Sequence, residues 1–98
     1  MHYRLEAEAA VEFDIESAFS WYDAEEPGLG PEFLEQLRLV YRRILENPLG
    51  YEEQRSGIRR GLMRQFPYAV YFSIENETIL ILAVLHTARD PAEWQLRT

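Results

Sequence analysis

The chain has 98 residues, 47% of them hydrophobic, with no cysteine and a net charge of −7. That is enough for one domain over residues 1–98 and one modest core, which excludes a disordered tail. The missing cysteines exclude disulfide frameworks and thiolate metal sites, and the acidic balance argues against non-specific binding to a phosphate backbone.

The charge is uneven. Residues 1–50 hold four arginines against eleven carboxylates, and residues 51–98 hold six against six. All ten basic residues are arginine. Arginine binds carboxylates and phosphates with a planar fork. An all-arginine count also follows from a GC-rich genome. The opening MHYRLEAEAA has no basic start followed by a long apolar core, and no apolar run reaches membrane-spanning length. A cytoplasmic protein without a membrane partner is expected.

Residues 3–8 alternate, with Tyr3, Leu5 and Ala7 on one side and Arg4, Glu6 and Glu8 on the other. This is a short strand with one wet face. From about Ala10 the period changes. Val11, Ile15, Ala18 and Tyr22 make one helix face, widened by Phe19. Glu12, Asp14 and Glu16 favour the helix start, and Pro27 ends it. Pro27, Gly28, Leu29 and Gly30 form a tight connection, and Pro31 fits the first turn of a second helix. Phe33, Leu34, Leu37, Val40, Tyr41, Ile44 and Leu45 form its apolar stripe, closed by Asn47 and Pro48. The short connection implies an antiparallel helical hairpin.

Residues 48–57 read as loop and 58–66 as a strand. In it Ile58, Leu62 and Phe66 share parity, but so do Arg60 and Arg64. Either the arginines line a partly wet face, or Gly61 marks a bulge. Residues 68–74 form the next strand, and Asn76 suits a turn with positive φ. Residues 78–86 then form the most apolar element. Its unbroken run at 79–85 predicts a strand buried on both faces, ending in His86. Residues 90–97 are a short tail with one helical turn capped by Asp90.

The expected fold class is therefore α+β: an N-terminal strand, an antiparallel helical hairpin, then a three-stranded antiparallel meander. Ile79, Ile81, Leu82, Val84, Ile15, Tyr22, Leu37 and Ile44 are expected to form one buried cluster.

The ordered set of motifs resembles the RelE/ParE superfamily of type II toxin–antitoxin toxins. The likeness is carried by Asp14-Ile15, Ala18 and Trp21-Tyr22; by residues 27–30 with Phe33; and by Arg59-Arg60. It continues through Phe66-Pro67-Tyr68, Val70-Tyr71, residues 81–84, His86, Arg89-Asp90-Pro91, Trp94 and Arg97. Together these span about residues 10–97, nearly the whole chain.

The resemblance implies a bacterial growth inhibitor, of the kind that stabilises plasmids, held inactive by a cognate antitoxin protein. ParE-like members poison DNA gyrase and are not nucleases. RelE-like members cut messenger RNA on the ribosome. The RelE-like branch implies several lysines on the sheet and a late tyrosine, whereas this chain has no lysine and its last tyrosine is Tyr71. The ParE-like reading is favoured. A metal-independent endoribonuclease and an inactive antitoxin-binding member are the alternatives.

RNA cleavage through a 2′-hydroxyl needs proton transfer and a cation for the developing charge. The catalytic candidates for it are His86 with Arg60, Arg64 and Arg89. A lone strand-end histidine is more often a satisfied structural group than a catalyst. Arg59, Tyr71, Trp94 and Arg97 are the candidates for target binding, although Trp94 also fits a lid packed on the core. Glu6, Glu8, Glu12, Asp14 and Glu16 lack the spacing of a metal site and read as a solvated acidic face. No metal and no cofactor is expected.

Overall fold

The computed structural model describes residues 2–88. The elements run β1 (Arg4–Ala7), α1 (Ala9–Glu25), α2 (Leu29–Glu46), a single 3₁₀ turn (Pro48–Gly50), β2 (Glu53–Arg55), β3 (Ile58–Leu62), β4 (Tyr68–Glu75) and β5 (Thr78–His86). The strands form one sheet in the order β1-β5-β4-β3-β2. β1 lies parallel to β5, and all other pairs are antiparallel.

The most apolar strand thus sits between β1 and β4, where both its edges can be paired and both its faces covered. The expected meander is present and gains a fourth strand, because β2 forms inside the stretch read as loop. Its signal was the two-residue turn Ser56-Gly57, both at positive φ (48° and 82°). That is the backbone a tight hairpin needs. Asn76 also has positive φ, 57°, in the β4–β5 turn. β3 is shorter than expected and ends at Leu62, five residues before Pro67.

The helical hairpin is closed by one carboxylate. Asp23 Oδ1, near the end of α1, accepts hydrogen bonds from the Gly28 N–H (2.9 Å) and the Gly30 N–H (3.2 Å). These are donors that the start of α2 would otherwise leave unpaired. Gly28 holds φ at +100°, where a side chain would be strained. Gly30 lets the helices close up, since a Cβ there would stand 2.9 Å from the Phe19 ring.

Both helices pack on the same face of the sheet. Val11 and Ala18 of α1, Phe33, Leu37, Val40 and Ile44 of α2, and Val70, Phe72, Ile79, Ile81 and Val84 of the sheet form one buried cluster. Ile15 and Tyr22 pack at its edge, partly buried. Leu82 does not belong to it. Tyr71 pairs with Ala83 and Phe72 with Ile81, so Leu82 is one residue extra in β5. This bulge resets the alternation of side chains. Ile79, Ile81 and Val84 face the helices, whereas Leu82, Ala83 and Leu85 join Ile58, Ala69 and Tyr71 on the opposite face. The single cluster expected from the sequence is therefore two clusters, back to back across the sheet.

β3 pairs with β4 in unbroken register from Ile58 to Leu62. Gly61 is no bulge, so Arg60 lines a partly wet face.

Candidate functional site at the exit of β5

β1 ends early, and that decides the shape of this region. Its pairing with β5 stops at Ile81, whose carbonyl accepts from the Glu8 N–H. Beyond it the open side of β5 needs another partner. Asp14 supplies one: its Oδ2 accepts from the Val84 N–H at 3.0 Å. Asp14 is 6% exposed and is the one buried charged residue among those described. It is thus not part of the solvated acidic face expected from the sequence. The signal was its place in the stripe, three residues after Val11 and four before Ala18. No group of acidic or histidine side chains among the described residues could hold a metal ion.

Tyr41 of α2 lies within reach of the Asp14 charge. Its hydroxyl is buried with no hydrogen-bond partner among the described residues. Burial, and secondarily the negative Asp14, push its pKa from 10.0 up to about 12. The sign follows directly: the folded chain holds this proton more tightly than the unfolded chain. Stability is therefore independent of this ionisation well below pH 10 and falls as pH rises from 10 toward 12, where the unfolded chain releases the proton first. Tyr41→Phe should flatten this alkaline arm in urea titrations. At neutral pH it should raise stability by about 1 kcal/mol, because a buried unpaired hydroxyl is removed.

His86 ends β5 opposite Tyr68, whose ring meets it edge-on at 5.4 Å. Tyr68 packs against the helix-side cluster, so the His86 side chain also leaves on the helix side. Its Nδ1 accepts from the Ala88 N–H at 3.0 Å. In the neutral ring the proton then sits on Nε2. A groove of about 650 Å³ opens here between α1 and the sheet end, lined by Ser17, Trp21, Tyr22, Pro67, Tyr68 and His86. Desolvation by burial, and Tyr68 beside it, raise the Tyr22 pKa.

Among the described residues, Arg59 and Arg60 are not gathered around His86. Arg60 pairs across the strands with Tyr71, which belongs to the cluster on the helix-free face. His86 and Arg60 thus project from opposite faces. Arg59 pairs with Phe72, on the helix side, and is held by the Tyr51 carbonyl at 2.5 Å and the Glu53 carboxylate at 3.8 Å. Arg64 is exposed in the β3–β4 connection, at the same end of the sheet as His86. Tyr71 is only 5% exposed, so its ring is part of the packing and not a wet surface. Arg89, Trp94 and Arg97, with the capped turn expected at Asp90, lie outside the described residues.

The sequence model of the family described as "ParE toxin of type II toxin-antitoxin system, parDE" matches residues 5–91. Among solved structures, a chain of the chromosomal ParDE TA system from P. aeruginosa is similar in fold. Its TM-score is 0.77 at 12% sequence identity, covering 87% of this chain and 96% of that one. No curated protein sequence matches the chain.

Proposed function

The chain belongs to the ParE toxin family of type II toxin–antitoxin systems, and from that membership we propose that it inhibits growth by binding DNA gyrase in the cytoplasm. A cognate antitoxin holds it inactive. The match over residues 5–91 carries this reading. The sheet gives it further support. A nuclease needs a base, an acid and a cation converging on one phosphate. Here His86 and Arg60 leave opposite faces, and the His86 Nδ1 is already an acceptor for Ala88. No described helix is long and apolar enough to cross a membrane.

The purified protein should inhibit gyrase supercoiling and leave ribosome-bound messenger RNA intact. His86→Ala should change neither result beyond a small stability loss. Charge reversal at Arg60 and Arg64, or truncation before Trp94, should weaken inhibition. Cleavage of ribosome-bound messenger with gyrase untouched, abolished by His86→Ala, would refute the proposal.

A further inference from the structure

Four large apolar side chains stand exposed among the described residues: Phe13, Trp21, Leu49 and Leu62. Phe13 and Trp21 belong to α1, and Leu49 to the 3₁₀ turn. Leu62 has a different setting. It is the last residue of β3, 56% exposed, and it lies opposite Ala69 on the sheet face that carries no helix. Two places back on that face is Arg60, about 7 Å along the strand. Arg64 follows two places on, in the β3–β4 connection.

These two arginines are uncompensated. Arg4, Arg38 and Arg59 each reach a carboxylate: Glu6 at 3.5 Å, Glu35 at 3.0 Å and Glu53 at 3.8 Å. Arg60 and Arg64 reach none among the described residues. On β4 the residues opposite Ile58, Arg60 and Leu62 are Ser73, Tyr71 and Ala69, none of them acidic. The shortage of carboxylates is local. Residues 2–37 hold one arginine against ten carboxylates, whereas residues 38–64 hold seven against three. An acidic chain thus leaves positive charge on either side of an exposed leucine.

The sheet edge is open at the same place. β2 pairs with β3 only as far as Arg59, so the outer edge of β3 from Arg60 to Leu62 has no strand partner. A free edge of this kind can take an extended segment from another chain.

Composition selects the occupant. An apolar centre rimmed by arginine is the make-up of a protein interface. Nucleic acid is disfavoured, because two arginines neutralise few phosphates and the carboxylates of residues 2–37 repel a duplex. A second copy pairing edge to edge would set the arginines against each other. An extended protein segment carrying Asp or Glu beside an apolar residue is favoured.

We propose that Arg60, Leu62 and Arg64 form the target-facing edge of the toxin and receive an acidic, extended segment of the gyrase protein, with an apolar side chain on Leu62 and carboxylates at the two arginines. This rests on the reading of the chain as a gyrase inhibitor. It adds which surface engages the target, and that the contact is with protein and not with DNA.

The test uses full-length protein and purified gyrase subunits without DNA, by calorimetry at two salt concentrations. Supercoiling inhibition and antitoxin binding are measured in parallel. Arg60→Glu combined with Arg64→Glu should weaken subunit binding at least about 30-fold and reduce its salt dependence. Leu62→Ser should weaken it about 5–10-fold with the salt dependence unchanged. Arg42→Glu is the same charge reversal at an exposed position on α2, and it should stay within about twofold of the parent. The concentration needed to inhibit supercoiling should rise by matching factors. All variants should keep the parent's circular dichroism and melting temperature.

Subunit binding that the charge reversals and Leu62→Ser leave unchanged would overturn the site while the gyrase reading stands. Binding that requires DNA, and is lost in the charge reversals, would refute it in favour of a phosphate contact. Variants that lose antitoxin binding and keep gyrase binding would refute it in favour of an antitoxin contact. A wild type that neither binds gyrase nor inhibits supercoiling would remove both the site and the gyrase reading.

Discussion

Phe33→Ala is expected to cost about 3–5 kcal/mol, the range for deleting a fully buried aromatic side chain. Phe33 is completely buried. It lies at the point where α2 meets α1 and the sheet end. Its ring stacks on Tyr22 at 5.8 Å and meets Phe66 and Tyr68 edge-on at 5.3 and 5.1 Å. Tyr22 in turn meets Phe66 at 4.8 Å. Four rings from α1, α2, the β3–β4 connection and β4 therefore share one packing unit. Aromatic pairs in these geometries add to simple burial. Truncating the central ring leaves a cavity bordered by stiff neighbours that collapse poorly. Against a stability of about 5–15 kcal/mol for an ordinary domain, the loss is severe. Urea unfolding would measure it. A cost below about 1.5 kcal/mol would show that the four rings repack freely around the gap.

The same cluster shows what the sequence could and could not convey. α2 was legible because its apolar residues recur at helical spacing over four turns. β5 was legible to its last residue, since a short apolar run bounded by a turn and a histidine admits little else. The bulge at Leu82 was not. Within an unbroken apolar run every residue looks alike, so nothing local records which face each one takes. Only the register against β4 settles that, and register is a long-range property. β2 was missed for the opposite reason: Glu53, Gln54 and Arg55 are all exposed and polar, and only the turn that follows makes them a strand.

The candidate site was hidden in the same way. Grouping His86 with Arg60 required knowing the parity of β3 relative to β5, and the two prove opposed. The groove was hidden because Phe13 and Trp21 interrupt a simple inside–outside pattern on α1.

The residue most at odds with its sequence context yields the second large effect. Asp14→Ala is expected to destabilise the chain by about 2–3 kcal/mol, the upper range for a hydrogen bond to a charged group. In a domain of this size that lowers the melting temperature by about 8–24 °C. A carboxylate at a buried helix position normally carries a large desolvation cost. Here it lies where β1 has ended and the Val84 N–H would face α1 unpaired. Removing Asp14 leaves that donor buried without its acceptor, and water has little access to replace it. Asn offers the discriminating comparison. Its amide oxygen can still accept from Val84, so Asp14→Asn should recover much of the loss if the hydrogen bond is what matters. Equal damage from Asn and Ala would point instead to the charge. Amide hydrogen exchange at Val84 adds a local readout. Its protection should collapse in Asp14→Ala and persist in Asp14→Asn, while the amides of residues 79–81, beside β1, stay protected in both.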